Sequence, residues 1–231
     1  RGGQRVVVIY PAHKLNTNAA NALLKTLEEP PANTLFLLLA HDVRQILPTI
    51  VSRCQRINAL APTLDAAVNY LNQHHGQNPD WAEFVATENN AVMRVAQLHG
   101  SNYFTLQKQF AAELAHGKHL NALKLAEQFE KHIKDADKAR LAGEPHSIDV
   151  ATVIRWLQRW THDVLNAAQT ATAPRYYPSQ RTAITQIATH IEPIKLHEWQ
   201  QSLLKEQRAA DHPLNLKIWL EKLLLQYTQM V

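Results

Sequence analysis

Cysteine is almost absent from this sequence, and long apolar runs are missing from it. The 231 residues include one cysteine, which excludes an internal disulfide and a zinc site built from cysteines. No stretch approaches a membrane span of uninterrupted apolar residues, so we predict no transmembrane helix and no membrane partner. A chain without disulfides is typical of the cytoplasm, and we expect the protein to reside there.

A starting methionine and a signal peptide are also lacking. The chain begins RGGQRVVVIYPAHK and passes directly into an apolar run, without the long hydrophobic region and small-residue cleavage site of a secretory signal. We therefore expect the chain to be part of a longer protein. It is nevertheless long enough for two domains and a sizeable core.

The excess of positive charge is small. Lysine and arginine number 24 against 20 acidic residues, which gives a net charge of +4 and a pI near 9.2. This balance is compatible with nearby nucleic acid but is weak evidence for it. The 13 histidines are scattered, and the adjacent His74 and His75 lack a third ligand at a useful spacing. We therefore predict no metal and no cofactor in this fragment.

The first sixty residues predict an α/β arrangement. Continuous apolar runs at 5–10 and 34–40 are typical of strands covered on both faces, and QRINAL at 55–60 suggests a third strand. The segment NTNAANALLKTLEE at 16–29 has leucines at helical spacing, begins with candidate N-caps and is followed by two prolines. A short helical segment is expected within 43–54. This alternation predicts a parallel sheet with right-handed crossovers, which three strands alone leave incomplete.

Beyond Pro62 the pattern is helical throughout. The segment 61–102 predicts a small helical unit, in which Thr63 caps the first helix and two more helices follow. Six amphipathic helices are expected in 103–231, where tryptophans and leucines recur every three or four residues, as in a helix-bundle core. The predicted chain is therefore α/β plus all-α and mostly helical, with domains at 1–60, 61–102 and 103–231.

Two motifs carry a resemblance to a known family. NALLKTLEEPP at 21–31 ends a predicted helix, and LFLLLAHDVRQILPTIVSRC at 35–54 ends in an SRC triplet. The combination resembles the clamp-loader family of AAA+ proteins, which includes subunits of bacterial DNA polymerase III and of replication factor C. The match is tight over 5–58. It implies that the chain is the C-terminal portion of a family member, with the C-terminal part of an AAA+ core at 1–60, a helical lid, and a C-terminal helical collar that serves oligomerisation.

The ATPase residues of that family are not found at their expected places. Active members end the second core strand with Asp-Glu, where the aspartate helps to hold Mg²⁺ and the glutamate polarises the attacking water. Here the strand runs into PAHK at 11–14, which offers no carboxylate. The next strand of active members ends with a threonine or asparagine that senses the γ-phosphate, and here Ala40 or His41 stands there. The resemblance therefore implies a member that does not hydrolyse ATP.

Arg53 is the principal candidate site residue. In the family, the SRC arginine reaches into the ATP site of the neighbouring subunit, so the resemblance implies that Arg53 is an arginine finger acting in trans. A guanidinium stays charged and has fixed donors that can stabilise γ-phosphate charge as the bond breaks. The resemblance gives Ser52 and Cys54 a role in shaping the turn. A surface arginine in a salt bridge is the alternative interpretation.

Three other charged residues are weaker candidates. Arg94 falls where ATPase relatives carry a lid arginine that contacts the nucleotide, and the resemblance implies at most a residual role of that kind. Glu28 and Glu29 form an acidic pair, but adjacent helical residues point to different sides. A structural or interface role is therefore favoured over acid–base catalysis for this pair.

The resemblance implies partners as well. These are the gamma/tau and delta subunits of the clamp loader, with the sliding clamp and primer-template DNA contacted through the complex during DNA replication. Two alternatives stay open: an ATP-hydrolysing gamma/tau-like subunit with divergent motifs, and a basic helical DNA-binding protein. ATP turnover by the subunit alone would favour the first, and salt-dependent affinity for DNA would favour the second.

Overall fold

Two short apolar runs near the N-terminus pair as a parallel sheet. Strand β1 spans Arg5–Ile9 and strand β2 spans Thr34–Leu38, as the sequence predicts to within two residues. A parallel pair needs a crossover connection, which the helix between the two strands provides. The structure is a computed structural model that describes residues 3–141, 148–170, 172–209 and 215–231.

One face of this sheet is left uncovered by the described residues. Val6 and Val8 are 52% and 56% exposed, and their cross-strand neighbours Leu35 and Leu37 are exposed as well. Side chains alternate along a strand, so only the opposite set, which includes Phe36, is partly buried. The prediction that these strands are covered on both faces is therefore wrong for this structure.

The predicted third strand does not form. Residues 55–60 follow the SRC turn as irregular chain, and the sheet of the described residues contains only β1 and β2. Ile57 and Leu60 are 83% and 88% exposed, so the apolar side chains that suggested a strand are not packed against one. Apolar composition alone was misleading here, because a strand also needs a neighbour for its backbone groups.

The helices of the first sixty residues begin at recognisable signals. Helix α1 spans Thr17–Glu28, and its N-cap Asn16 accepts a hydrogen bond from the Ala19 amide at 2.8 Å. Helix α2 spans Pro48–Val51 and starts with its proline, whose fixed φ and missing N–H suit the first helical position. Both helices agree with the sequence prediction, and α1 ends just before the double proline.

The described residues beyond 60 fold as a second unit, in which every regular element is a helix, around one apolar core. The chain divides into Arg1–Leu60 and Ala61–Val231, and the predicted separation of a lid from a collar stays a prediction. Trp156 and Trp160 of α8 are fully buried, α8 packs against α9 and α10, and α11 packs against α7. Two predicted helix ends, at 142 and 210, lie outside the described residues. The helices are α3 Leu64–His75, α4 Trp81–Thr87, α5 Val92–Leu98, α6 Tyr103–Leu114, α7 Ala122–Leu141, α8 Val150–Thr170, α9 Arg181–Ala188, α10 Pro193–Ala209 and α11 Leu216–Met230.

Candidate functional site

Arg53 lies on a turn that the short helix α2 positions. Ile50, within α2, is 2% exposed and anchors the helix in the interior of the first unit. The Arg53 amide then closes a turn by donating to the Ile50 carbonyl oxygen at 3.0 Å. The apolar run before Arg53 therefore fixes the turn, while the arginine side chain itself stays 34% exposed.

All three nitrogens of the Arg53 guanidinium contact its own chain. Nε donates to Glu28 Oε1 at 2.6 Å, and Nη2 forms an ion pair with the same oxygen. Nη1 donates to the Thr49 carbonyl oxygen at 2.8 Å and, more weakly, to Ser52 Oγ at 3.4 Å. The Glu28 side chain is 48% exposed. The guanidinium is therefore a surface cation in a defined orientation, and the salt bridge of the alternative interpretation is present.

Ser52 and Cys54 belong to the same turn. Ser52 Oγ donates to the Thr49 carbonyl oxygen at 3.0 Å, which is the carbonyl that also accepts from Arg53. The Cys54 amide donates to the Val51 carbonyl oxygen at 3.3 Å, and its thiol is free and half-buried. These are contacts that a turn-shaping role requires, and that role stays a prediction for both residues.

Aromatic and imidazole groups gather beyond the ends of the two strands. The Tyr10 hydroxyl and His41 Nε2 lie 3.0 Å apart in a hydrogen bond, and His13 packs edge-on against His41 with ring centroids 5.7 Å apart. Ala12 is 2% exposed, and its amide donates to the Leu39 carbonyl oxygen at 2.8 Å. The residues that follow the two strands thus include a buried backbone segment and paired rings.

One carboxylate, which no sequence motif distinguishes, lies beyond β2. Asp42 accepts from Nε and Nη2 of Arg44 at 3.0 Å each, and from the Arg44 amide at 3.0 Å. These hydrogen bonds lower the pKa of Asp42 to about 2. Asp42 caps the 3₁₀ turn Val43–Gln45, so its charge is already balanced within its own loop.

Arg94 is the ion-pair partner of a fully buried glutamate. Its Nε donates to Glu88 Oε2 at 2.8 Å, and the Glu88 side chain is 0% exposed. Glu88 Oε1 accepts from Arg159 Nη1 at 2.6 Å and from the Tyr103 hydroxyl at 2.7 Å. The network joins the turn after α4 to α6 and α8. Arg94 stays 41% exposed, and the nucleotide contact that the resemblance implied for it stays a prediction.

The Glu88 carboxylate is charged in spite of its burial. Burial alone would raise its pKa, but hydrogen bonds from Arg159 and Tyr103 and the charges of Arg159 and Arg94 lower it below the ordinary value. Burial raises the pKa of Tyr103, and the neighbouring carboxylate raises it further. Sequence reasoning missed Glu88, because nothing in ATENNAVMR distinguishes a buried acid from an exposed one.

The paired histidines of α3 are engaged with aromatic neighbours. His74 lies against Tyr70 with ring centroids 4.4 Å apart, and His75 lies edge-on to His99 at 5.9 Å. Within the described ranges, no group of three or more histidine, cysteine, aspartate or glutamate side chains is placed to hold a metal ion. Among the same residues, none of the helices is long and apolar enough to cross a bilayer.

Family models match both parts of the chain. Residues 1–62 match the model described as DNA polymerase III, delta subunit, and residues 101–229 match the model described as DNA polymerase III, delta subunit, C terminal. The sheet-bearing unit with its SRC turn and the helical unit thus define a DNA polymerase III subunit. Residues 101–229 make up more than half of this chain, and the chain therefore belongs to the DNA polymerase III delta subunit family.

Individual relatives narrow the similarity to delta′. The chain is 27% identical to DNA polymerase III subunit delta′ of Pseudomonas aeruginosa, over 99% of this chain and 67% of that protein. It is 45% identical to delta′ of Escherichia coli over 34% of this chain and 24% of that protein. Subunit tau of Bacillus subtilis is 44% identical over 30% of this chain and 12% of tau. An SRC triplet without ATPase carboxylates indicates delta′ within the clamp-loader family, and these relatives confirm that prediction.

Proposed function

We propose that this chain is a delta′ component of a bacterial clamp loader and lends Arg53 to the ATP site of a neighbouring subunit. In this function the chain takes part in ring assembly with gamma/tau and delta subunits, and the ring loads a sliding clamp onto primed DNA. The observation that supports the finger is the exposure of Arg53, whose charged side chain is 34% exposed on the SRC turn. A group that acts in trans must be charged and must be accessible to the neighbouring subunit.

The C-terminal helices supply the surface that ring assembly needs. Leu220, Leu223 and Leu224 of α11 are fully buried, so most of its apolar stripe is core of this chain. Ile218 and Leu225 of the same helix are 62% and 41% exposed and are available to a neighbouring subunit. The AAA+ core, the lid at 61–102 and the collar at 103–231 belong to the same proposal.

The chain is not expected to hydrolyse ATP by itself. The hydrogen bond between Tyr10 and His41 and the buried backbone of Ala12 occupy the strand ends where an ATPase would place its catalytic groups. The full-length subunit, assayed alone with ATP and Mg²⁺, should therefore show no turnover above background. Measurable turnover that depends on enzyme concentration and survives repurification would favour the gamma/tau-like alternative.

Replacing Arg53 with alanine tests the finger. In the complete clamp loader, reconstituted with the full-length subunit, Arg53→Ala should leave assembly intact and lower DNA-stimulated ATP hydrolysis. An arginine finger raises the rate of hydrolysis about 10³-fold or more at the ATP site that it serves. Total ATP turnover should therefore fall by at least the fraction that this one site contributes. The measurement is steady-state phosphate release at saturating primed DNA and clamp.

Arg56 provides the matched control for that substitution. It lies three residues beyond Arg53, is exposed, and its Nε donates only to Asn58 Oδ1 at 3.2 Å among the contacts of the described residues. Arg56→Ala removes the same charge from the same loop and should leave hydrolysis unchanged. Equal rates for wild type and Arg53→Ala in correctly assembled complexes would contradict the proposed finger.

The alternative of a basic helical DNA-binding protein receives less support. On α7, Lys134 pairs with Glu130 at 2.7 Å and Lys138 pairs with Asp135 at 3.4 Å, so this lysine-rich face is not a continuous basic stripe. Phosphate contacts make DNA affinity strongly salt-dependent. Tight binding of the subunit alone to primed DNA, with such a salt dependence, would favour this alternative.

A further inference from the structure

Glu28 contacts the side chain of Arg53, on which the proposed function depends. We propose that Glu28 is a positioning residue that restrains Arg53 within its own subunit and is displaced when the guanidinium engages the phosphate of a neighbouring ATP. This inference rests on the proposed function of Arg53 and adds a regulation to it. Glu28 and Arg53 are 25 residues apart in the sequence and meet because α1 ends where the SRC turn begins.

The geometry makes the restraint specific. A guanidinium can bind an anion through two nitrogens along either of two edges, one formed by Nε and Nη2 and the other by Nη1 and Nη2. Glu28 Oε1 accepts from both nitrogens of the first edge. The Thr49 carbonyl oxygen accepts from Nη1, which belongs only to the second edge, at 2.8 Å. A phosphate group can therefore bind the first edge of Arg53 through two hydrogen bonds only after Glu28 is displaced.

The restraint is weak enough to be reversible. Both side chains are partly exposed, and exposed ion pairs contribute little to stability and are screened by salt. A triphosphate carries more negative charge than one carboxylate, so it can displace Glu28 once the neighbouring subunit presents it. Until then Glu28 holds the Arg53 guanidinium against the turn. This contact reduces binding of the guanidinium to groups other than the neighbouring triphosphate.

The position of Glu28 supports this role over a purely structural one. It is the last residue of α1, where the helix dipole makes a carboxylate mildly unfavourable. Arg53 offsets that unfavourable position, and the adjacent Glu29 is exposed at the helix C-cap. Of this acidic pair, Glu28 thus contacts the Arg53 guanidinium, whereas Glu29 does not and serves as the control.

Glu28→Gln should raise the activity that depends on Arg53. Glutamine keeps the shape and one acceptor oxygen but removes the charge, so the guanidinium is released more easily. In the reconstituted clamp loader we expect kcat/KM for ATP to rise by about 2- to 5-fold, the range that an exposed ion pair supports. The Glu28 variants and wild type are compared in the part of ATP hydrolysis that is lost in Arg53→Ala. Glu28→Ala, which deletes the acceptor as well, should give at least the same rise.

Two controls separate this effect from general damage. Glu29→Gln removes an equal charge from the neighbouring position and should leave kcat/KM unchanged. The ratio of Glu28→Gln to wild type should approach one as the salt concentration increases, because salt screens the pair that the variant lacks. Loss of a merely structural contact would not raise kcat/KM, and it would not produce this salt dependence.

The outcomes distinguish the restraint from the finger itself. If Arg53→Ala leaves hydrolysis unchanged, the proposed function fails and the restraint fails with it. If Arg53→Ala lowers hydrolysis while Glu28→Gln and Glu28→Ala leave kcat/KM unchanged or lower it, the finger stands and the restraint is overturned. A rise in both Glu28 variants together with a loss in Arg53→Ala supports the restraint.

Discussion

Replacing Glu88 with alanine is expected to lower the free energy of unfolding of the helical unit by about 3–5 kcal/mol. The substitution leaves Arg159, whose side chain is only 13% exposed, as a buried charge without its carboxylate. It also removes the acceptor of the Tyr103 hydroxyl, which lies in the core beside the indole of Trp156. All five tryptophans follow residue 80, so tryptophan fluorescence during urea unfolding reports on this unit.

Asp135 is the matched acidic control for this prediction. It pairs with Lys138 on the surface of α7 at 3.4 Å, and its side chain is 55% exposed. Asp135→Ala should cost at most about 0.5 kcal/mol, because exposed helical pairs contribute no more than that. Similar losses of unfolding free energy in the Asp135 and Glu88 variants would contradict this expectation, because they would show that a buried ion pair contributes no more to stability than an exposed one.

The same network predicts a pH dependence with a definite sign. The pKa of Glu88 is lowered in the folded protein from its ordinary value of 4.5. A carboxylate of this kind contributes its full stabilisation above its unfolded pKa and loses it as the pH falls through the folded pKa. The difference in unfolding free energy between wild type and Glu88→Ala should therefore be constant near neutral pH and become smaller below about pH 4.5.

Local signals allowed much of the fold to be predicted. Asn16 and Thr63 are N-caps in the structure as expected, because a short polar side chain satisfies a free amide at a helix start. The runs at 5–10 and 34–40 form strands because continuous apolar, branched sequence suits a parallel pair. The SRC turn follows from a proline start and one buried isoleucine. The caps and the turn depend on residues within about one helical turn of each other, and each strand follows from its own apolar run, although the two strands pair over a longer separation.

Features that depend on distant residues could not be predicted. The sequence placed 55–60 in a strand because its composition allows one, but no sheet edge in the described chain receives it. The partner of Arg53 is 25 residues away, and the partners of Glu88 include Arg159, 71 residues away. The motif therefore singles out Arg53 in the sequence, whereas its carboxylate partner could be found only in the structure.

Asp163 organises the segment that connects α8 to α9. Its side chain is 0% exposed within α8, and Oδ1 accepts from the amide of Arg175 at 2.9 Å. Oδ2 accepts from the amides of Tyr176 and Tyr177 at 2.8 Å and 2.9 Å. One carboxylate thus satisfies three consecutive backbone N–H groups, which would otherwise lack acceptors where the segment turns back over the core.

Asp163→Ala is accordingly expected to lower the free energy of unfolding by about 3 kcal/mol or more, because it leaves one buried and two part-buried amides without an acceptor, and each such loss costs about 1–3 kcal/mol when the amide is kept from water. The segment cannot simply move into water, since Tyr177 is 4% exposed and its hydroxyl donates to the Trp156 carbonyl oxygen at 3.1 Å. Asp149, which caps α8 by accepting from the Thr152 amide at 2.7 Å, is the control. Loss of such a cap costs about 1 kcal/mol. Equal urea midpoints for Asp163→Ala and Asp149→Ala at equal slopes would overturn the assignment, because a carboxylate that held three consecutive amides could not be replaced as easily as a surface cap.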